Sequence, residues 1–226
     1  MTALPLPRAL LLDLDGTLID SAPDIARALA EILTAHDLPP LDEAAVRQRI
    51  GHGVARLVES GFAAVGRLLA EADLAAATAA MMDAYRARLT DRTRLTDGVE
   101  ALVAACAARA IRLACVTNKP EAMARTILDH FGLGAAIPVV IGGDGPLPRK
   151  PSPAPLLAAL ARLGVEPADA WMVGDGVPDM QAARAAGVAA VAVRSDYGEP
   201  LTPGLYDRLA DDPAGVAALI GATDRR

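Results

Sequence analysis

The chain has 226 residues and a net charge of −6, and 53% of its residues are hydrophobic although only 3% are aromatic. This length and composition can bury a core of Leu, Val, Ile and Ala, residues that suit helices packed on a parallel sheet. The negative charge and the lack of a Lys/Arg cluster argue against a nucleic-acid-binding protein, because affinity for the phosphate backbone comes mainly from clustered basic side chains.

The sequence also indicates a cytoplasmic protein that does not bind membranes. The first eight residues lack the apolar segment of a signal peptide, and no later run reaches the roughly 20 uncharged apolar residues of a membrane span. Cys106 and Cys115 lie in apolar surroundings without metal-ligand spacing. We therefore expect both cysteines to be buried, reduced thiols.

The first predicted element is a buried strand over residues 9–14, which ends in acidic residues and a Gly-Thr turn. From residue 22 to residue 89, apolar residues recur at helical spacing, with interruptions at 36–41, at 51–53 and near 71–73. This pattern predicts a block of about four helices, inserted after the first strand.

The second half of the chain predicts helices that alternate with short strands. The expected helices span residues 99–109, 121–130, 154–163 and 180–186, and the expected strands span 111–116, 138–141, 170–173 and 188–193. Such alternation implies right-handed crossovers and a parallel sheet. We predict an α/β fold, in which residues 1–19 and 91–226 form a Rossmann-like parallel core. Residues 20–90 would form a helical cap above the strand ends, where ligands bind in such sheets.

Asp13 and Asp15 stand at the end of the first predicted strand, in the sequence Asp-Leu-Asp-Gly-Thr. Curvature after the strand can bring both carboxylates into one pocket, where one attacks phosphorus and the other handles protons. The alternatives are a surface turn and a calcium loop. A calcium loop is disfavoured because its sixth position would be Leu18 instead of Gly and its twelfth would be Asp24 instead of Glu.

Two further loops carry groups suited to phosphate. Thr117 and Asn118 follow the second strand and precede a helix, so a hydroxyl and backbone amides could hold phosphate oxygens. A plain helix cap at Thr117 is the alternative. Lys150 lies on a proline-bounded turn, where it can present its charge to a phosphoryl group and a nucleophilic carboxylate. The alternative there is a solvated surface lysine.

The segment Gly-Asp-Gly-Val-Pro-Asp, residues 174–179, superficially resembles a dinucleotide-binding fingerprint. Asp179 replaces the third glycine of that fingerprint, however, and its carboxylate would repel a pyrophosphate. Asp175 and Asp179 among glycines are more typical of a site for a hard cation, and Mg²⁺ prefers oxygen ligands. The segment therefore predicts Mg²⁺ as the cofactor.

In chain order, these motifs read DxDGT, Thr, Lys and GDxxxD, which resembles the four-motif signature of the haloacid dehalogenase superfamily over essentially the whole chain. The resemblance implies that Asp13 is the nucleophile and forms an aspartyl-phosphate. It implies that Asp15 protonates the leaving alcohol and then activates water. The acid at Asp15 also disfavours C–halogen and C–P cleavage, because the dehalogenases and phosphonatases of this fold lack it.

The same resemblance implies roles for the remaining motif residues. Thr117 and Asn118 would bind phosphoryl oxygens, and Lys150 would offset charge on Asp13 and on the phosphate. Asp13, the backbone carbonyl of Asp15 and Asp175 would hold Mg²⁺, with Asp179 supporting them.

Four segments further resemble the phosphoglycolate phosphatases: residues 20–24, 50–53, 150–156 and 196–200. This resemblance implies a small cap that closes over the site, with Arg47, His52 and Gly53 as candidates for substrate contact. A loop histidine without a ligand is the alternative for His52. The expected reaction converts 2-phosphoglycolate to glycolate and phosphate, in a monomer or homodimer.

Two departures from the family pattern keep other substrates open. Gly176 stands where the family commonly has serine, and Ser152 stands where such phosphatases often have histidine. Related caps also serve phosphatases of sugar phosphates, pyrophosphate and N-acetylmuramic acid 6-phosphate. The sequence is also compatible with a phosphomutase similar to β-phosphoglucomutase and with a non-catalytic phosphate-binding protein.

Overall fold

The structure is a computed structural model and describes residues 4–223. Its strands are β1 (Ala9–Leu12), β2 (Ile19–Asp20), β3 (Arg94–Leu95), β4 (Arg112–Val116), β5 (Val139–Ile141), β6 (Ala170–Gly174), β7 (Ala189–Val193) and β8 (Arg208–Ala210). Six of them form a parallel sheet in the order β5-β4-β1-β6-β7-β8, whereas β2 and β3 pair as an antiparallel ribbon. The predicted α/β fold with a parallel core is confirmed.

Strand β1 lies at the centre of the sheet, between β4 and β6. All four of its residues are fully buried, as expected for a parallel strand that is covered on both faces. Leu10 and Leu12 belong to one hydrophobic cluster and Leu11 belongs to the cluster on the opposite face. The Asp13 N–H donates to Val173 O at 2.9 Å, so β1 ends with Asp13 fixed beside β6.

The helices divide into a group between β2 and β3 and a group that alternates with the sheet strands. The first group is α1 (Ala22–Ala35), α2 (Glu43–Arg47), α3 (Val54–Ala64) and α4 (Glu71–Arg86). The second is α5 (Val99–Ala107), α6 (Glu121–His130), α7 (Ala154–Leu163), α8 (Val177–Ala186) and α9 (Pro213–Thr223). Within residues 4–223, none of these helices has both the length and the apolar character needed to cross a membrane.

The four-helix block is present, but the predicted interruption near residues 71–73 is wrong. Helix α4 begins at Glu71, and the chain between α3 and α4 covers residues 65–70 instead. Glu71 and Asp73 occupy the first turn of α4. Acidic side chains are favourable there because the N-terminal end of a helix carries partial positive charge.

Helix α8 begins at Val177, three residues before the predicted start. Pro178 fits the first turn because the N–H that proline lacks has no partner within the helix at that point. Asp179 Oδ2 accepts from the Gly176 N–H at 3.0 Å and caps the helix, so Asp179 lies on the helix and not in a loop. The ends of the other predicted core elements differ by at most two residues, and the prediction did not include β2, β3, β8 or α9.

The ribbon of β2 and β3 joins the two points where the chain enters and leaves the four-helix block. Ile19 lies opposite Leu95, and Asp20 lies opposite Arg94.

The division into a core and a cap of residues 20–90 stays a prediction. Residues 1–3 and 224–226 of the predicted core lie outside the described residues.

Asp24 ties α1 to the chain that leaves the block. Its side chain is fully buried, and Oδ2 accepts from the N–H groups of Arg92 (2.9 Å) and Thr93 (2.8 Å) and from the Thr93 hydroxyl (2.9 Å). Buried backbone N–H groups are costly when they lack a partner. The Asp24 carboxylate therefore stabilises this exit from the block.

We predict that Asp24→Ala lowers the free energy of unfolding by about 2–4 kcal/mol, because it leaves these donors without an acceptor. Asp24→Asn keeps an acceptor oxygen of similar shape and should cost clearly less. Urea denaturation of both variants measures the difference. Unchanged stability of Asp24→Ala would contradict the role given to this carboxylate.

Candidate active site

Lys150 is buried among oxygen atoms at the carboxyl ends of the central strands. Its side chain is 2% exposed, and Nζ lies 2.8 Å from Asp13 Oδ1 and 2.6 Å from Asp179 Oδ1. Nζ also donates to Val116 O at 2.6 Å, at the end of β4. The alternative of a solvated surface lysine is therefore wrong.

Three buried carboxylates meet next to this lysine. Asp13, Asp175 and Asp179 each offer an oxygen, and these oxygens all lie within 4.8 Å of one another. The Thr17 hydroxyl donates to Asp175 Oδ1 at 2.9 Å. Burial and the charge of Asp179 raise the pKa of Asp13 to about 6, although Lys150 opposes this shift. Burial, together with the charges of Asp13 and Asp179, also raises the pKa of Asp175 well above its usual value.

The chemistry of these groups fits a hard divalent cation. With Asp15 nearby, four carboxylates face the ammonium groups of Lys119 and Lys150, which leaves a formal charge of −2. A cation with oxygen ligands would neutralise that charge. Gly16, at φ 81°, makes room for the cluster, because a Cβ there would lie 2.2 Å from Asp175 Oδ2.

Asp15 belongs to a second charged pair beside the three carboxylates. Its Oδ1 contacts the Lys119 ammonium and accepts from the Ser21 hydroxyl at 2.5 Å. The Lys119 ammonium lies 4.9 Å from the ring centre of Tyr85, which is on α4. Burial lowers the pKa of Lys119, but Asp15 and Tyr85 outweigh burial and raise it above the usual value. Lys119 was not among the site residues predicted from the sequence, although it directly follows Thr117 and Asn118.

Thr117 and Asn118 are both buried beside Lys150, but their side chains have different partners. Thr117 Oγ1 accepts from the Lys119 N–H at 3.2 Å. Asn118 Oδ1 accepts from the Lys150 N–H at 3.0 Å, and Nδ2 donates to Lys150 O (3.1 Å) and to Gly51 O (2.9 Å). The expected contact of Asn118 with phosphoryl oxygens stays a prediction, because its side chain contacts backbone groups in this structure.

Two adjoining cavities share Asp13, Asp15, Ile50 and Gly51 in their walls. The first is lined largely by apolar side chains, together with Thr117, Asn118 and Lys119. The second is lined by the remaining carboxylates of the cluster, Asp175 and Asp179, and by Glu199. A ligand at Asp13 could thus extend toward an apolar or an acidic side.

The three residues expected to contact substrate are not all at the cavities. Gly53 lines the first cavity and His52 lines the second. Arg47 lines neither of these two cavities. Its guanidinium pairs with Asp20 at 2.8 Å and with Glu43 at 2.7 Å, and it stacks 5.0 Å above the centre of the Tyr197 ring. The structure therefore gives Arg47 protein partners instead of the expected position at the substrate.

Known proteins resemble this chain over most of its length. Residues 7–187 match the model of a haloacid dehalogenase-like hydrolase. The phosphoglycolate phosphatase of Rhodospirillum rubrum is 45% identical over 223 residues, which cover 96% of this chain and 92% of the relative. That of Xylella fastidiosa strain 9a5c is 40% identical over 205 residues, 87% of this chain and 86% of the relative.

A solved structure leads to the same family. The crystal structure of a predicted phosphoglycolate phosphatase from Haemophilus somnus 129pt superposes with a TM-score of 0.86 at 30% identity. The superposition covers 95% of this chain and 98% of the other. The resemblance noted in the sequence motifs is thereby confirmed, and the chain belongs to the haloacid dehalogenase-like hydrolases.

Proposed function

We propose that this hydrolase is a Mg²⁺-dependent phosphomonoesterase that converts 2-phosphoglycolate to glycolate and phosphate. The observation that carries the proposal is the carboxylate of Asp13, which lines both cavities and lies 2.8 Å from the buried Lys150 ammonium. Relatives that match almost the full chain are named phosphoglycolate phosphatase, which supports the substrate.

In the proposed mechanism, Asp13 attacks phosphorus while the bond to the leaving oxygen breaks, which gives an aspartyl-phosphate. Phosphoryl transfer depends mainly on positioning and on stabilisation of charge. Lys150 provides a fixed positive charge beside Asp13. The Thr117 hydroxyl and neighbouring backbone amides would hold phosphoryl oxygens.

Asp15 would donate a proton to the leaving oxygen and then accept one from the water that hydrolyses the aspartyl-phosphate. The Lys119 ammonium and the Ser21 hydroxyl hold the Asp15 carboxylate in the wall of both cavities. Residues 20–90 would act as a cap that limits the access of water to the reacting groups.

Asp13, the backbone carbonyl of Asp15 and Asp175 would hold Mg²⁺. When bound, Mg²⁺ would offset the negative charge that builds up between the phosphate and the Asp13 carboxylate. Asp179 would support the site by fixing Lys150, with which it pairs at 2.6 Å, and the Gly176 N–H.

Lys119 supports an acidic leaving group. Among the described residues that line the first cavity, only Lys119 carries a positive charge, and the other walls are mainly apolar. A carboxylate on the leaving group would find its counter-charge there. Glycolate carries such a carboxylate.

The first prediction of this proposal concerns phosphate release. Among 2-phosphoglycolate, sugar phosphates, pyrophosphate and N-acetylmuramic acid 6-phosphate, we expect the highest kcat/KM for 2-phosphoglycolate, and we expect a chelator to abolish turnover until Mg²⁺ is restored. A Mg²⁺-dependent preference for another ester would keep the mechanism and refute the substrate. Isomerisation of a sugar phosphate without phosphate release would instead identify a mutase, and no turnover would favour a phosphate-binding protein.

The second prediction separates the two contacts proposed for Lys119. In Lys119→Met, the support of Asp15 is lost for every substrate, but the carboxylate contact is lost only for 2-phosphoglycolate. The kcat/KM for 2-phosphoglycolate should therefore fall at least about tenfold more than that for ethyl phosphate, an analogue without the carboxylate. Equal losses for both esters would show that Lys119 serves Asp15 alone.

A further inference from the structure

The turn between α2 and α3, residues 51–53, contacts two neighbouring positions of the α/β core. Asn118 Nδ2 donates to Gly51 O at 2.9 Å. The Arg149 Nη1 atom lies 2.6 Å from the position that a Cβ of Gly53 would occupy, where the backbone has φ 89°. Arg149 Nε donates to Gly143 O at 2.6 Å, which anchors the guanidinium. Asn118 therefore bonds one end of the turn, and the Arg149 guanidinium packs against the other.

The same asparagine fixes the backbone of Lys150. Asn118 Oδ1 accepts from the Lys150 N–H at 3.0 Å, and Nδ2 donates to Lys150 O at 3.1 Å. The whole Lys150 residue is only 4% exposed, and it carries the ammonium next to Asp13. One side chain thus holds both backbone polar groups of Lys150 and one carbonyl of the turn.

Asn118 itself has little freedom to shift. It is 7% exposed, and the backbone of Gly143 packs so closely that a Cβ there would lie 2.4 Å from Asn118 O. An asparagine side chain has two N–H donors, and Asn118 directs one to each of two carbonyl oxygens. A side-chain hydrogen bond to a phosphate would require one of these two to break.

We propose that Asn118 is a positioning residue that couples the position of the turn of residues 51–53 over the cavities to the position of Lys150. With Gly51 O in place, the amide plane of Asn118 is fixed, and its two hydrogen bonds hold the Lys150 backbone. The coupling is reciprocal, so a displaced Lys150 segment also loosens the turn. The catalytic consequence of this coupling rests on the proposed function, whereas the contacts do not.

Hydrogen–deuterium exchange of the full ligand-free chain tests the coupling without any assay of activity. Asn118→Asp keeps an acceptor for the Lys150 N–H but directs an oxygen at the carbonyls of Gly51 and Lys150. We expect deuterium uptake by peptides covering residues 47–57 to become about fivefold faster or more, as for the loss of one hydrogen bond. Arg149→Ala should accelerate uptake in the same peptides, because it removes the second contact with the turn.

Two control variants isolate this effect. Thr117→Ala alters the neighbouring candidate for phosphate contact and should leave uptake by residues 47–57 unchanged. Arg56→Ala removes a side chain on α3 that is 65% exposed and pairs with Glu59, and it should likewise leave the turn unchanged. In steady-state assays, Asn118→Asp should lower kcat by about 10–100-fold and change KM less, because a displaced Lys150 impairs the chemical step.

Unchanged uptake in the turn of both Asn118→Asp and Arg149→Ala would overturn the coupling, whatever happens to activity. A rise of similar size along the whole chain would also overturn it, because that result indicates general destabilisation. If uptake rises in the turn and in the Lys150 segment but not elsewhere, while the wild-type protein hydrolyses no phosphate ester, the coupling stands and the proposed function fails.

Discussion

The position of the Lys150 ammonium depends at once on two central strands of the sheet and on helix α8. A buried charge is tolerated only when it is paired and hydrogen-bonded, and Lys150 finds these partners at Val116 at the end of β4, at Asp13 after β1 and at Asp179 on α8. The strand order β4-β1-β6 places those partners next to one another. The same order leaves Asp13 and Asp175 close enough to share a cation.

The second buried lysine connects this charge cluster with the four-helix block. Lys119 contacts Asp15 on one side and the ring of Tyr85 in α4 on the other. Since Asn118 also reaches Gly51, two adjacent residues after β4 carry contacts between the proposed catalytic groups and the block. A change in the position of the block is therefore expected to reach both Asp15 and Lys150, the two groups that handle protons and charge in the proposed reaction.

Much of the fold and the centre of the site could be predicted from the sequence, because both follow from local patterns. Alternating apolar strands and helices predict the parallel sheet, and polar residues directly after strands must meet at one edge. These patterns located Asp13 and Asp175, and a proline-bounded turn indicated Lys150. The strand β8 could not be predicted in this way, because three residues that begin with an arginine carry no period of their own.

The remaining differences arise from contacts between distant parts of the chain. Arg47 contacts Asp20 and Tyr197, which are 27 and 150 positions away in the sequence. No spacing in the sequence predicts these contacts. The orientation of Asn118 depends in the same way on the carbonyl of Gly51, 67 positions away. Sequence motifs therefore identified the candidate residues for the chemistry, whereas the partners that orient them required the structure.

The covalent role of Asp13 is the central claim, and trapping the acyl phosphate tests it most directly. Protein quenched in acid during turnover would be reduced with borohydride, which converts an aspartyl-phosphate to homoserine, and then mapped by peptide mass spectrometry. We predict homoserine at position 13 in the wild-type protein and none in Asp13→Asn. Homoserine at Asp15, or phosphate release without any modified aspartate, would contradict the account.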